Sequence, residues 1–217
     1  MSLQLRFSVT GNDMMEKYLR EFPKDARKAA KLAINDTVRR GRRKAKQEIM
    51  SQVNLKSGYL NEQRLTENLA KDDNLTGSII GRRRPTSLAR FDSQQLYQPN
   101  KTRSGRKSAG VTVRVKGARK KIPNAFLVKL KAGNRDGVNQ GLAVRLPEGQ
   151  KPNRRFGGKP LYKSRNTNVW LLYGPSVNQI MTSKGTGESL IDNLKPELST
   201  YLNQEFRRQF GRIRGGK

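Results

Sequence analysis

The sequence has 217 residues, and its 46 lysines and arginines against 17 aspartates and glutamates give a formal net charge of +29. Hydrophobic residues make up 33% of the chain, enough for one modest core, and self-repulsion at this charge points to a polyanion or an acidic protein surface as partner. No cysteine or histidine is present, which excludes disulfides, thiolate zinc sites and the commonest general base, and no apolar run approaches the roughly 20 residues that span a bilayer.

The N-terminal segment predicts a strand and a short helix. Apolar residues alternate with polar ones over 3–9, the period of a half-buried strand. Turn residues follow, and a helix is expected to run to about Phe22 with Asn12 or Asp13 as its cap. The same residues lack the charged and apolar regions of a signal peptide, so we expect none.

A long helix is predicted from about Lys24 to Gln52, because apolar and mostly small residues recur every four positions. Its second half, Thr37–Ile49, carries six cations answered within the stretch only by Glu48. We expect one side of this helix to pack on a sheet and the side from 39 to 46 to meet an acidic neighbour or DNA. A further helical segment is predicted over about 58–71.

The middle of the chain predicts short strands and a flexible arm. Strands are expected at Ile79–Ile80 and at Leu88–Phe91. The segment Ser93–Gly110 is rich in Gly, Ser, Lys and Arg and has no periodicity, which predicts a long flexible loop.

Four later segments predict an antiparallel sheet of about four or five strands. They are 111–115, 126–130, 142–146 and 169–173, the last of which is apolar on both faces and suits a central strand. Such a sheet would bury one face under the helices and expose cations on the other, namely Arg114, Lys116, Lys129, Lys131 and Arg145.

The C-terminal part predicts a loop, a corner and a helix. Pro147–Asn168 is a second basic loop, rich in Gly and Pro. Gly174 and Pro175 are expected to turn a strand into a short helix that ends near Met181. Leucines and phenylalanines then recur every four residues over 190–210, which predicts an amphipathic helix kinked or divided at Pro196. The fold class is therefore α+β, with the sheet against a long N-terminal and a C-terminal helix.

The positive charge is concentrated in the middle of the chain. Residues 74–187 hold twenty-four basic and three acidic side chains, a net of +21. Arg and Lys bind phosphate without reading sequence. We therefore expect contact with DNA or an acidic partner from Arg39, Arg40, Arg42, Arg43, Lys46, Arg82, Arg83, Arg84, Arg103, Arg106, Lys107, Arg114, Lys116, Arg119, Lys120, Lys121, Lys129, Lys131, Arg154 and Arg155.

Two other interpretations of the charge stay open. The cations could simply be solvated, although several runs converge on two loops and one sheet face. The chain could also be a free-standing, non-specific nucleic-acid-binding protein. Specific single-strand recognition is poorly supported, because Tyr97 and Phe156 are nearly the only aromatic residues in the basic loops. No zinc finger, RNA-recognition signature or helix-turn-helix spacing is present.

A nuclease is disfavoured because metal-dependent phosphodiester cleavage needs clustered carboxylates. Asp72 and Asp73 are adjacent but lie near a predicted helix end, and Asp92, Asp136 and Glu148 are far apart in sequence. No Gly-rich phosphate loop is present. We predict a protein that is not an enzyme, with no catalytic residue, no cofactor and no metal.

Several segments together resemble the minor tail protein Z family of tailed phages. They are "GVTVRVKGARKKIPNAFLVKLKAGN" at 110–134, "GLAVRL" at 141–146 and "LYGPSVNQIM" at 172–181. Upstream, "KAAKLAINDTVRRGRRKAKQEI" is similar to that family's Ala/Arg-rich helix, and "SLARF" at 87–91 falls where the family has a short strand. "LSTYLNQEFRRQF" is similar to its closing helix. The similarity covers nearly the whole chain in order, and the insertion at 147–168 departs from it.

The resemblance implies a tail-completion role in the virion neck, after synthesis in the host bacterial cytoplasm. It implies a ring, a hexamer in the family pattern, between tail terminator and head connector proteins and around the phage DNA, with no membrane partner. The implied organisation is one domain over 1–217, with a mainly helical part to 73, a sheet with basic loops over 74–181, and a C-terminal helix and basic tail over 182–217. Subunit contacts are expected at Trp170, Tyr173, Phe206 and Phe210.

Overall fold

The computed structural model describes residues 4–99, 105–130, 139–152, 158–161, 168–183 and 189–215. Across these residues the fold is mixed α+β, with four helices and several antiparallel sheets, which confirms the predicted fold class. The chain divides into two compact units. In the described ranges no helix is both long enough and apolar enough to cross a membrane.

The first unit comprises Met1–Ile49, Leu60–Arg83 and Val177–Lys217. Its strands form one antiparallel sheet in the order β1-β3-β2. The strands are β1 Leu5–Ser8, β2 Leu65–Asn68 and β3 Thr76–Gly81, and the helices are α1 Asp13–Glu21, α2 Pro23–Gln52, α3 Val177–Thr182 and α4 Leu190–Gly215.

Helix α1 begins where the sequence predicts. The side chain of Asn12 is the N-cap and accepts a hydrogen bond from the backbone N–H of Met15 at 3.2 Å. This bond satisfies one of the N–H groups that have no partner in the first helical turn. Helix α2 then starts at Pro23, a residue suited to the first helical position.

Helix α2 is continuous through Gly41 and is held by its stripe of small residues. Its wholly buried apolar positions are Ala26, Ala29, Ala30, Ala33, Ile34, Val38, Ala45 and Ile49. A Cβ at Gly41 would lie 2.8 Å from Ile79 Cδ1 and 3.0 Å from Leu198 Cδ1. The absence of a side chain at Gly41 therefore lets α2 approach both β3 and α4.

We expect Gly77→Ala to destabilise the first unit. A Cβ at Gly77 would lie 2.6 Å from Val38 Cγ2 and 2.8 Å from Ile34 Cγ2, and β-branched side chains in a helix have little freedom to move away. Overpacking of this kind costs about 1–3 kcal/mol of unfolding free energy. Gly211→Ala is the matched control, since Gly211 lies in α4 and an added Cβ there would meet nothing within 4 Å, and it should stabilise by up to about 1 kcal/mol. Urea unfolding of both variants measures the two signs, and equal shifts would contradict the packing assigned to Gly77.

Helix α4 has the predicted apolar stripe and continues through Pro196. Phe206 is 0% exposed and Phe210 is 9% exposed. Tyr18 from α1 meets both rings edge-on, at centroid distances of 5.6 Å and 4.8 Å. The two phenylalanines therefore pack inside the first unit, and Phe206 offers no surface to another subunit.

The second unit comprises Met50–Tyr59 and Arg84–Ser176. One of its sheets has the order β5-β6-β7, and the other has the order β10-β11-β9-β8 with β4 paired to β11. The strands are β4 Thr86–Ser87, β5 Gln94–Pro99, β6 Arg106–Val113, β7 Lys120–Ile122, β8 Ala125–Lys129, β9 Gln140–Arg145, β10 Gly158–Pro160 and β11 Val169–Gly174.

The predicted strands in this unit exist, but they do not form one sheet. The strand predicted at 111–115 is the end of β6, while those at 126–130, 142–146 and 169–173 are β8, β9 and β11. Strand β11 has partners on both sides, as predicted for a central strand. In the first unit, helix α2 packs instead on the small sheet β1-β3-β2.

Three local predictions are wrong. Residues 58–71 do not form a helix, because they hold a single 3-10 turn at Ser57–Tyr59 and strand β2. Leu88–Phe91 is mainly a 3-10 turn over Leu88–Arg90, and the strand precedes it as β4. Ser93–Gly110 is not a loop, because its described residues belong largely to the paired strands β5 and β6. Both strands are exposed on both faces over much of their length, so no apolar alternation marks them.

The second predicted loop, Pro147–Asn168, is described only in part. Its described residues include the three-residue strand β10, which pairs with β11. The corner at Gly174 and Pro175 leads into helix α3, which ends at Thr182, one residue beyond the predicted end.

Candidate functional site

The cations of helix α2 are largely engaged inside the first unit. Glu197 of α4 pairs with Lys44 and lies 3.7 Å from Arg40 Nη2. The Arg40 guanidinium also lies 4.3 Å from the centre of the Tyr201 ring. The Lys44 ammonium, aided by Arg40, holds the pKa of the Glu197 carboxyl below its ordinary value. These contacts join α2 to α4.

Other cations of the same helix also have partners in the unit. Arg39 lies 3.5 Å from Asp36, and Arg42 Nε donates to the carbonyl of Leu65 at 3.0 Å. Arg43 is exposed and Lys46 is half-buried. The expectation that the 39–46 side meets an external partner therefore narrows mainly to Arg43 and Lys46.

Helix α4 carries a buried carboxylate, Glu205, that is hydrogen-bonded to neighbouring side chains. Glu205 is 5% exposed, and Arg208 Nε donates to it at 2.9 Å. The bond from Arg208 is the main reason that the pKa of Glu205 is lowered, against a smaller opposing effect of burial. The Gln209 amide donates both to Glu205 and to Asp36 of α2.

We expect Glu205→Gln to remove part of the acid sensitivity of folding. Because the folded chain lowers the pKa of Glu205, its stabilisation is complete above the ordinary glutamate pKa and is lost as the pH falls through the lowered value. The difference in unfolding free energy between wild type and Glu205→Gln should thus be largest near neutral pH and shrink in acid. Urea unfolding over this range measures it, and a difference independent of pH would contradict the role given to the charge.

The second unit carries a set of exposed cations, which we call the unit 2 cations. They lie on β6, on the β6–β7 turn, on β7, and at the ends of β8 and β9. They are Arg106, Lys107, Arg114, Lys116, Lys120, Lys121, Lys129 and Arg145. The first two come from the segment expected to be a loop, so they are placed by a paired strand instead of a flexible arm.

Few carboxylates oppose the unit 2 cations. The described part of the second unit contains only Asp92 and Glu148 as acidic residues. Asp92, which has a positive φ of 43°, pairs with Arg119, whose Nη1 also donates to the Asp92 carbonyl at 2.9 Å. Arg119 is thereby set apart from the unit 2 cations. Among the described residues, the first unit pairs many of its cations internally, and the second unit leaves most of its own without an ion pair.

The remaining sequence-predicted contacts are placed as follows. Arg82 is half-buried at the end of β3, and Arg83 and Arg84 are exposed immediately after it. Arg103, Lys131, Arg154 and Arg155 lie outside the described residues. The structure therefore places the cations of β6, β7, β8 and β9 in one compact unit.

The predicted subunit contacts on β11 are half-buried. Trp170 pairs in register with Val144 of β9 and Pro160 of β10. Tyr173 lines a cleft of about 460 Å³ together with apolar residues that include Val113, Ile122 and Pro175. Lysines 116, 120 and 121 also line this cleft. It is an apolar pocket with a basic rim.

The nuclease interpretation requires a cluster of metal-ligating side chains. Within the ranges the structure describes, no group of three or more metal-ligating side chains lies close enough together to hold an ion. Asp72, one of the adjacent pair weighed for a nuclease, instead pairs with Lys31 at 2.7 Å.

No family model, curated protein or solved structure matches this chain. The likeness to the minor tail protein Z family therefore rests on the sequence segments themselves.

Proposed function

We propose that this chain is a structural protein of the tailed-phage neck. It would complete the tail at its head-proximal end, assemble as a ring and join the tail to the head connector. Two things support the proposal: the ordered sequence resemblance over nearly the whole chain, and the unit 2 cations, which lack carboxylate partners among the described residues. The second observation carries the functional part of the proposal.

The net charge of +29 has to be neutralised wherever several copies of the chain assemble. Cations on one compact unit repel each other, and bringing several copies together in a ring increases that repulsion. A polyanion along the ring axis offsets it, because lysines and arginines bind phosphates and release the counterions condensed on DNA. Acidic surfaces of the neighbouring tail and connector proteins could neutralise the cations that face away from the axis.

The cations would act without sequence readout. Most lie on strands or tight turns of the second unit, so strand pairing sets the backbone positions that carry them. Contacts to phosphate fix orientation and carry no base information. This suits a neck protein, through which any part of a genome must pass.

The runner-up is a free-standing nucleic-acid-binding protein, which the same cations would serve equally well. The two proposals differ in assembly. A tail-completion protein should form rings alone or on tails that lack it, and should restore joining to heads. A free-standing binder should remain monomeric and shift DNA without any tail component.

The test is light scattering and electron microscopy of the purified protein, alone and mixed with tails made without it. Rings capping the tail end, followed by recovery of head joining, are the expected result. A monomer that never associates with tails would contradict the proposal and favour the runner-up. Cleavage of DNA that depends on a divalent metal would contradict both.

A further inference from the structure

A second cleft in the second unit combines cations with an aromatic ring. It has a volume of about 580 Å³. Lys107 and Ser108 of β6 form one side, and Phe126 of β8 and Arg145 of β9 form the other, with Asn124 and Pro147 also lining it. This is a different place from the apolar cleft beside Tyr173.

The strand register puts the ring and the guanidinium on the same face of the sheet. Phe126 pairs directly with Ala143 of β9. Arg145 is two residues beyond Ala143, so its side chain leaves the same face of β9. Asn124, at a positive φ of 59°, precedes β8, and its carbonyl accepts the Arg145 N–H at 3.4 Å. Diagonal neighbours of this kind lie within reach of aromatic and long side chains.

The opposite side of the cleft is tied to β8 by the side chains of Gln95 and Ser108, and Ser108 Oγ donates to the Ala125 carbonyl at 3.4 Å. The amide of Gln95 donates to Ser108 Oγ at 2.8 Å and to the Gly110 carbonyl at 2.9 Å. Its oxygen accepts the Leu127 N–H at 2.9 Å. Gln95 thus connects β6 to β8, which fixes Lys107 and Ser108 beside Phe126 in a preformed site.

The electrostatics of the cleft favour an anion. Neither Lys107 nor Arg145 is in an ion pair with any residue that the structure describes, and no carboxylate lines the cleft. Phe126 is only half-buried, so part of its ring is accessible. A ring beside two cations suits a ligand with a negative group close to a flat, unsaturated one.

A second aromatic ring lies beside the cleft. Tyr97 of β5 is 60% exposed and pairs in register with Ser108, one of the residues that line it. In the sequence, Tyr97 is nearly the only aromatic residue among the basic ones around it. The sequence does not show that Tyr97 pairs with Ser108, which is eleven positions further along the chain. Strand pairing places Tyr97 next to Ser108, which lines the cleft together with Phe126.

We propose that this cleft binds one nucleotide of a single-stranded nucleic acid, with its phosphate on Lys107 and Arg145 and its base on Phe126. In a duplex both faces of each base are covered by neighbouring pairs, so a ring in a cleft can stack only on an unpaired base. Stacking on an aromatic side chain tolerates any base, so we expect the cleft to bind with little sequence preference. The assignment goes beyond the tail-completion proposal, which requires only contact with double-stranded DNA.

The test compares a labelled oligothymidine with a duplex of the same length by fluorescence anisotropy, using the full chain. Phe126→Leu keeps the apolar bulk and removes the ring. It should weaken single-strand binding by about 5- to 150-fold, the usual contribution of one stacked base, and leave duplex affinity unchanged. Phe126→Tyr should restore single-strand binding. Thermal unfolding checks that each variant is folded.

A charge-matched pair tests the phosphate contact. Arg145→Gln should weaken single-strand binding more than Lys116→Gln, which removes an equal charge outside this cleft. Equal single-strand affinity of Phe126→Leu and wild type would overturn the proposal, and so would parallel loss of single-strand and duplex binding. Displacement of the oligothymidine by polyglutamate as readily as by unlabelled oligothymidine would assign the cleft to an acidic protein instead.

These outcomes are separate from those of the tail-completion proposal. If Phe126→Leu behaves as wild type while rings still cap tails, only the cleft assignment fails. If the wild-type chain binds oligothymidine as expected but never associates with tails, only the neck assignment fails.

Discussion

Binding of the purified protein to duplex DNA should weaken steeply as salt is added. A protein that neutralises six to ten phosphates loses about 10³- to 10⁵-fold in affinity between 50 and 200 mM salt. The eight unit 2 cations are exposed and belong to one compact unit, so we expect a dependence within this range. The effect is large because each phosphate contact releases condensed counterions into the solution. The entropy gained by this release becomes smaller as the bulk salt concentration rises.

The slope of affinity against salt, on logarithmic axes, identifies which cations are responsible. Glutamine at Arg114, Lys120 and Lys121 should make the slope shallower by about 0.9 for each phosphate contact removed. Glutamine at Lys31, Arg39 and Lys44 makes the same change in net charge, but these three side chains pair with carboxylates inside the first unit. This control should leave the slope nearly unchanged. Equal effects of the two triple variants would show that net charge alone governs binding. A DNA affinity of the wild type that does not change with salt would indicate that the cations contact acidic protein surfaces instead of phosphates.

Phe206→Ala should lower the unfolding free energy of the first unit by about 3–5 kcal/mol. The ring is fully buried, meets Tyr18 edge-on and stacks beside Phe210 with their centroids 6.0 Å apart. Its removal loses the transfer free energy of the ring and leaves a cavity that α1 and α4 can fill only in part.

Urea unfolding followed by circular dichroism measures this change. Phe206→Leu fills most of the same space and should cost much less, which keeps the comparison informative if the alanine variant fails to fold. Tyr97→Ala, at a 60% exposed aromatic residue, should change stability by at most about 0.5 kcal/mol. If Phe206→Ala left the stability unaltered and abolished self-association, the result would support the subunit contact that the sequence predicts for Phe206.

Periodicity predicted the two long helices because each buries one face. The apolar stripes of α2 and α4 follow from a core on one side, so they are visible in the sequence. Strand β9 was also predicted from alternation, although its four central residues are all buried. Strand β5 has no buried residue, and the first three residues of β6 are exposed. A polar strand segment of this kind has the composition of a loop.

Residues 58–71 show how spacing can mislead. Leu60, Leu65 and Leu69 recur at four- and five-residue intervals, which imitates the stripe of a helix. Leu60 and Leu65 are buried, but Leu65 is in strand β2, paired to β3 in the sheet under α2. Pairing with β3 at the edge of the sheet determines the conformation of β2, and the local spacing of leucines carries no information on that pairing.

The candidate site was predictable in composition but not in geometry. Counting charges locates the excess of cations in residues 74–187, most of which belong to the second unit. The pairing of Lys44 with Glu197 joins residues 153 positions apart, so the sequence did not indicate that α2 is neutralised internally. The cleft around Phe126 depends on strand register and on the bond from Gln95 to Ser108, and Phe126 alone is typical of a core strand residue.

In an assembled neck, we expect an anionic neighbour to neutralise the unit 2 cations. The most direct measurement is high-resolution electron microscopy of the intact particle, read for the distance from each of these ammonium and guanidinium groups to the nearest phosphate or carboxylate oxygen. The account predicts a ring of this chain in which most of these distances are within about 4 Å, the span of an ion pair. A particle in which the same side chains face open solvent would contradict it.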